Sequence, residues 1–149
     1  MESKSLKASW ILLLIVSCVV IIFALMTLFA PKEFSANDFQ SFTGQQLSDF
    51  KASNPQVFSY MSMGAFEGGI YLLLAGISAV FLTLFAYRKG EKWAWYLALI
   101  LNTIGWGGAI RANLYTGDMI TVVIGIVFLA IAYVGIAIGA KTILKKVST

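Results

Sequence analysis

Two stretches of the chain place an ionisable side chain inside an apolar run. Met63-Gly-Ala-Phe-Glu-Gly-Gly-Ile70 carries Glu67, and Gly105-Trp-Gly-Gly-Ala-Ile-Arg-Ala-Asn113 carries Arg111. A charge in such a run is expensive in lipid and marks a candidate functional site by default. Two chemistries suit the pair. One is a structural ion pair between helices. The other is a polar site for a head group, a quinone-like ring or a partner's charged residue. Asn102 sits nearer the middle of its run and offers an amide for interhelical hydrogen bonding. Such bonds average ~0.6 kcal/mol in membrane helices, so Asn102 reads first as packing glue.

The rest of the inventory excludes more than it offers. The chain has no histidine, so haem with a histidine ligand, a His-ligated metal site and a Ser-His-Asp triad all lack a residue they need. Its one cysteine, Cys18, lies in the first apolar run with no intrachain partner. A lone thiol there behaves as a small hydrophobe. We expect no catalytic residue, no metal and no cofactor.

Composition sets the environment of these residues. Of 149 residues, 59% are hydrophobic and 12% charged. Soluble domains carry roughly 25% charged residues. Four apolar runs exceed the ~14 residues that a soluble core helix uses, so the chain reads as an integral membrane protein. The net charge of +4 does not point to nucleic acid, because the basic residues cluster at the ends of the apolar runs.

The runs predict spans at about 8–30, 57–87, 93–115 and 119–140, in a single domain. The first is too long for a signal peptide, and Leu28-Phe29-Ala30 is a poor cleavage site, so it reads as a retained anchor. With the N-terminus inside, eight basic residues fall inside: Lys4, Lys7, Arg88, Lys89, Lys92, Lys141, Lys145 and Lys146. Only Lys32, Lys51 and Arg111 fall outside. The positive-inside bias therefore selects both ends in the cytoplasm of a plasma (cytoplasmic) membrane protein. Trp10, Trp93, Trp95 and Tyr96 sit at the same inner boundary, where an aromatic belt belongs.

This scheme makes the second and third helices antiparallel neighbours across the inner turn 88–92. Glu67 precedes Tyr87 by twenty residues, about 30 Å of helix, and Arg111 follows Trp93 by eighteen, about 27 Å. The heights agree within one turn, so the two are expected to pair near the outer boundary. The first and fourth helices carry no charge within their spans and are expected to face lipid or another protein's apolar helices.

The outer loop, 31–56, spaces Phe39, Phe42, Leu47 and Phe50 within about a 140° arc. Ser35 with Asp38, and Thr43 with Gln46, have capping-box spacing. Short amphipathic helices are expected at 36–42 and 44–53, broken near Gly44, lying on the membrane or capping the bundle. Asn54-Pro55 has the form of a helix start. Gly64 with Gly68, and Gly135 with Gly139, have the spacing that lets helices approach closely, and Gly105, Gly107 and Gly108 cluster in the third span.

The turn Ala86-Tyr-Arg-Lys-Gly-Glu-Lys-Trp-Ala-Trp95, with Thr43-Gly44 and Pro55 before it, resembles an uncharacterised family of small prokaryotic four-span membrane proteins. In that family a Thr-Gly pair and a later Pro lie in the first outer loop, and an Arg-basic-Gly-Glu-basic-Trp-Ala-Trp stretch joins spans two and three. The resemblance covers about the middle third of the chain and implies an all-α four-helix membrane bundle without implying an activity. Small multidrug exporters carry a carboxylate in the first span, claudin-like proteins a cysteine pair in the first loop, and quinone-linked thiol oxidoreductases a Cys-x-x-Cys pair; this chain has none of these. The expected role is a non-catalytic accessory subunit among membrane lipids and other membrane subunits. The alternative is a small transporter or lipid- or quinone-binding protein.

In a Cys18→Ala background, a single cysteine at Gln45 should react with a membrane-impermeant maleimide on intact cells. One at Lys145 should react only after permeabilisation. The reverse pattern would reject the orientation.

Overall fold

A computed structural model describes residues 3–145, apart from the side chains of 31–35 and 37. Lys146, one of the basic residues expected to set topology, lies outside the described residues. The described chain is helical, with no strand. Its elements are α1 (Lys4–Phe29), α2 (Pro31–Thr43), α3 (Leu47–Ser53), α4 (Pro55–Phe85), a 3-10 turn (Tyr87–Lys89), α5 (Lys92–Thr116) and α6 (Met119–Ile143). Helices α1, α4 with its 3-10 extension, and α6 are each long and apolar enough to cross a membrane. Helix α5 is as long as α6, but its Asn, Arg, Trp and Tyr residues leave it less apolar.

The helix ends follow their local chemistry. Ser3 accepts the Leu6 N–H and starts α1. Asp118 accepts the N–H groups of Ile120 and Thr121 and starts α6. The turns at Gly90 and Gly117 need left-handed backbone, at φ 79° and 82°, which only glycine adopts without strain. Pro55 opens α4 at the first position with Asn54 as cap residue, but the Asn54 side chain donates to Ser53 and makes no cap bond. Nor does the expected Thr43–Gln46 box form. Thr43 lies in the last turn of α2, where its hydroxyl bonds back to the Phe39 carbonyl, and Gln46 caps α3 without a side-chain bond. Ser35 falls inside α2 rather than at its start. The loop otherwise matches expectation, with two short helices broken at Gly44.

The long helices lie side by side in the order α4–α1–α6–α5, each antiparallel to the next. Gly69 of α4 faces Leu28 and Thr27 of α1, and Gly76 faces Ile21 and Val20. Gly135 of α6 meets Ser9 and Leu12 of α1. Gly125 of α6 meets Ile110 of α5. Helices α4 and α5, consecutive in the chain, touch only sparingly. The charge-free α1 and α6 are therefore the centre of the packing, not its lipid-facing flanks.

The tightest point lies at the end that carries the 3-10 turn, called here the basic end. Tyr87 and Ser9 are both 0% exposed. Ser9 donates its single hydroxyl proton to the Gly135 carbonyl at 2.6 Å, so Tyr87 donates to Ser9 at 2.8 Å. A Cβ at Gly139 would collide with both hydroxyls. Nearby, the Trp95 indole donates to the Ile136 carbonyl at 2.9 Å. Trp95 thus turns into the bundle, although its ring spacing in sequence reads as part of a belt. Trp10 lies under Arg88, whose guanidinium carbon is 5.0 Å from the ring centre.

Overpacking a close helix crossing costs about 1–3 kcal/mol. Gly139→Ala should lower the stability of the purified chain by that amount in detergent unfolding. Gly64→Ala, with open space around it, should leave stability unchanged or slightly raised.

Candidate functional site

Helix α4 sets Tyr60, Gly64, Glu67, Gly68, Tyr71 and Ala75 within about a 100° arc. All six are exposed. The arc lies roughly 130° around the helix from the side where Gly69 and Gly76 press on α1. Helix α5 sets Leu101, Gly105, Gly108, Arg111, Ala112 and Tyr115 within about 120°, again all exposed. It too lies away from the packed side, where the Trp106 ring stacks on Phe128 at 5.3 Å. Each face thus holds two glycines, an alanine and one charge, with two tyrosines on α4 and one on α5.

The glycines divide cleanly by surroundings. Gly69, Gly76, Gly125, Gly135 and Gly139 each have neighbours inside contact distance of an added Cβ. Gly64, Gly68, Gly105, Gly107 and Gly108 have nothing within 4 Å. Apart from Gly44 in the loop, the open ones lie on α4 and α5, the two helices with little mutual contact. Of the two four-apart glycine pairs, Gly135 with Gly139 is used within the chain and Gly64 with Gly68 is not.

Glu67 lies eighteen residues before the end of α4, about 27 Å along it, and Arg111 lies nineteen after the start of α5, about 28 Å. The two charges keep matching heights, yet no ion pair joins them among the described residues. The reason is geometric. A five-residue connection holds α4 and α5 together at the basic end only, and each helix is drawn to a different partner above it, α4 to α1 and α5 to α6. Asn102 is half-buried, and its amide donates at 2.8 Å to the Ala98 carbonyl of its own helix. It bridges no helices. The basic residues Arg88, Lys89, Lys92 and Lys145 are exposed at one end of the bundle.

The opposite end is covered by α2, which touches α1, α4 and α5. The Phe42 ring of α2 lies tilted against Tyr115 of α5 at 5.6 Å, and the Phe39 ring tilted against Phe50 of α3 at 5.0 Å. Phe42 thus touches a helix of the bundle, while Phe39 and Phe50 pair between the two loop helices. Asp38 of α2 is half-buried, and Asp118 at the start of α6 is buried. Burial first, then hydrogen bonding to Asp118 and its charge, raise the Asp38 carboxyl from 3.8 to about 6. Burial pushes Asp118 upward as well. Hydrogen bonds from the Thr121 hydroxyl, Asp38 and the backbone N–H groups of Thr121 and Ile120 outweigh that and hold it below the usual carboxylate range.

Sequence reasoning missed this carboxyl pair and the Ser9–Tyr87 node. Asp118 before an apolar run was a legible helix cap. Nothing in the spacing of Asp38 and Asp118, eighty residues apart, announces their contact. No protein-family model, curated protein or solved structure matches the chain.

Residues on separate, non-touching helices contribute additively to stability within ~0.5 kcal/mol. A double-mutant cycle of Glu67→Gln and Arg111→Gln on the purified chain should therefore give a coupling near zero. A coupling above about 1 kcal/mol would mean that the pair closes within one chain.

Proposed function

We propose that the protein is a non-catalytic accessory subunit of a larger membrane complex. It crosses the plasma membrane four times, with both ends and the basic end of the bundle in the cytoplasm. It docks partner spans along the open faces of α4 and α5. For the fourth crossing, the support is that the 25-residue α5 lies antiparallel to α6, with Trp95 on Ile136 and Ile110 on Gly125. For the orientation, the support is the excess of Lys and Arg at the basic end.

One observation carries the docking role: Glu67 and Arg111 stand unpaired beside glycines that have no neighbour. In lipid, apolar contact alone does little to bring helices together, so association relies on close packing and polar bonds. A small-residue face beside a charge supplies both. An unpaired charge at a span's centre costs ~2.5–3.5 kcal/mol on insertion scales, and less toward the interface. A partner helix bearing the opposite charge would remove that penalty.

The second reading is a small transporter or a lipid- or quinone-binding protein that uses the same two charges. It is favoured by one feature, the position of Arg111 at a height where a lipid phosphate would sit. The readings separate by experiment. After mild-detergent extraction the chain should migrate on a native gel within an assembly much larger than itself, and Gly68→Leu should release it. Migration as a lone monomer or homodimer would remove the subunit reading. If Glu67→Gln alters ligand binding or transport while the assembly stays intact, the second reading replaces it.

A further inference from the structure

Glu67, Gly68 and Tyr71 stand eighteen, seventeen and fourteen residues before the end of α4 at Phe85. Arg111, Gly108 and Gly105 stand nineteen, sixteen and thirteen residues after the start of α5 at Lys92. At 1.5 Å per residue, each of these positions on one face has a counterpart on the other within about 2 Å of height. The counterparts are complementary. A carboxylate stands level with a guanidinium, a glycine with a glycine, and a tyrosine ring with the hollow at a glycine. This is a register for two antiparallel helices laid side by side. Within one chain it goes unused. All six residues are exposed, and a Cβ at Gly68, Gly105 or Gly108 would meet nothing within 4 Å. Among the described residues Glu67 and Arg111 make no ion pair.

Both faces border the same opening. Leu82 lies eighteen residues, five full turns, beyond Gly64 on α4, and Ala94 lies eighteen residues before Ala112 on α5. Each therefore shares the azimuth of its helix's open face, and both pack in the core beside the turn. Followed toward the basic end, the two faces run into the packing where α4 and α5 are joined. Above it they flank the side of the bundle between α4 and α5, where the two helices touch only sparingly.

We propose that this side is covered by a second copy of the chain, related by a two-fold axis along the membrane normal. Helix α4 of each copy lies against α5 of the other, and two Glu67–Arg111 ion pairs form between the copies. Such an axis leaves every height unchanged, so the register left idle within one chain is used between two. The glycines let the helices approach closely, and the ion pairs supply the polar bond that association in lipid relies on. An unrelated partner must carry both complements at one height, whereas a second copy already does. The inference names the occupant of the docking faces and rests on the reading that they dock spans; a larger assembly then holds the chain in pairs. The double-mutant cycle above is measured with the copies separated by dilution in detergent.

The test co-expresses two differently tagged full-length chains and captures one tag after mild-detergent extraction. Wild-type chains should capture each other. A chain with Glu67→Arg carries two arginines at the contact, and one with Arg111→Glu carries two glutamates. Each should capture its own kind more than about tenfold less well, because like charges then face each other. Mixed together, the two variants should regain capture near the wild-type level, since every bridge is again Arg opposite Glu. Absence of capture between wild-type chains, capture indifferent to the swaps, or a loss that mixing does not repair would each overturn the two-fold contact. If a swapped chain does not reach the membrane, a cysteine pair decides. In a Cys18→Ala background, chains with Gly68→Cys and with Gly108→Cys should oxidise to a dimer bearing both tags, and failure to form it overturns the contact. A lone pair of copies on the native gel removes the subunit reading and leaves this contact standing. A large assembly without capture between copies does the reverse.

Discussion

The close approach of α1 to α6 at Gly135 and Gly139 is the constraint on which the rest of the bundle depends. Without a Cβ on α6 at these positions, two hydroxyls from other parts of the chain reach its backbone. Ser9 bonds the Gly135 carbonyl and receives the proton of Tyr87, so one hydrogen-bond chain ties α1, the 3-10 turn and α6. Trp95 adds a bond to the next carbonyl and ties in α5. Each donor is satisfied without water, as a lipid-embedded interior requires. No buried side-chain nitrogen or oxygen among the described residues lacks a partner.

That anchoring explains why neighbours in sequence are not neighbours in space. The turn after α4 is fixed against α1 and α6 by Tyr87, and α5 leaves it along α6. Helix α4, meanwhile, follows α1 through Gly69 and Gly76. The two helices joined by the shortest connection therefore separate, and the charges they carry at equal height stay apart. Polar groups inside the packing are all satisfied locally, many by back-bonding to their own helix, as with Ser17, Thr27, Thr83 and Asn102. Glu67 and Arg111 are the exceptions among the residues considered as sites, and both lie on faces that the fold leaves uncovered.

The two ends of the bundle are built on different principles. At the basic end the hydrogen bonds of Ser9 and Tyr87 are buried. The loop end is covered by a separate helix that packs through two aromatic pairs, one to α5 and one to α3. Short amphipathic helices of this kind have too little buried surface to be held by packing alone.

The helical segments were legible in outline from the sequence, because apolar run length, basic clusters, Gly44, Gly90 and Pro55 act locally. Each helix boundary depends on residues within one or two turns of it. The sequence also determined that Glu67 and Arg111 share a height, since rise per residue is fixed. Azimuth was a different matter. Whether a helix face meets a neighbour depends on which helices pair, and that is decided by contacts such as Ser9 with Gly135, 126 residues apart. Identical Gly-xxx-Gly spacing therefore gave a packed pair on α6 and an open pair on α4. Only the tertiary structure distinguished them, because pairing in lipid follows close-range steric fit and hydrogen bonding rather than hydrophobicity, and neither has a signature in one-dimensional spacing.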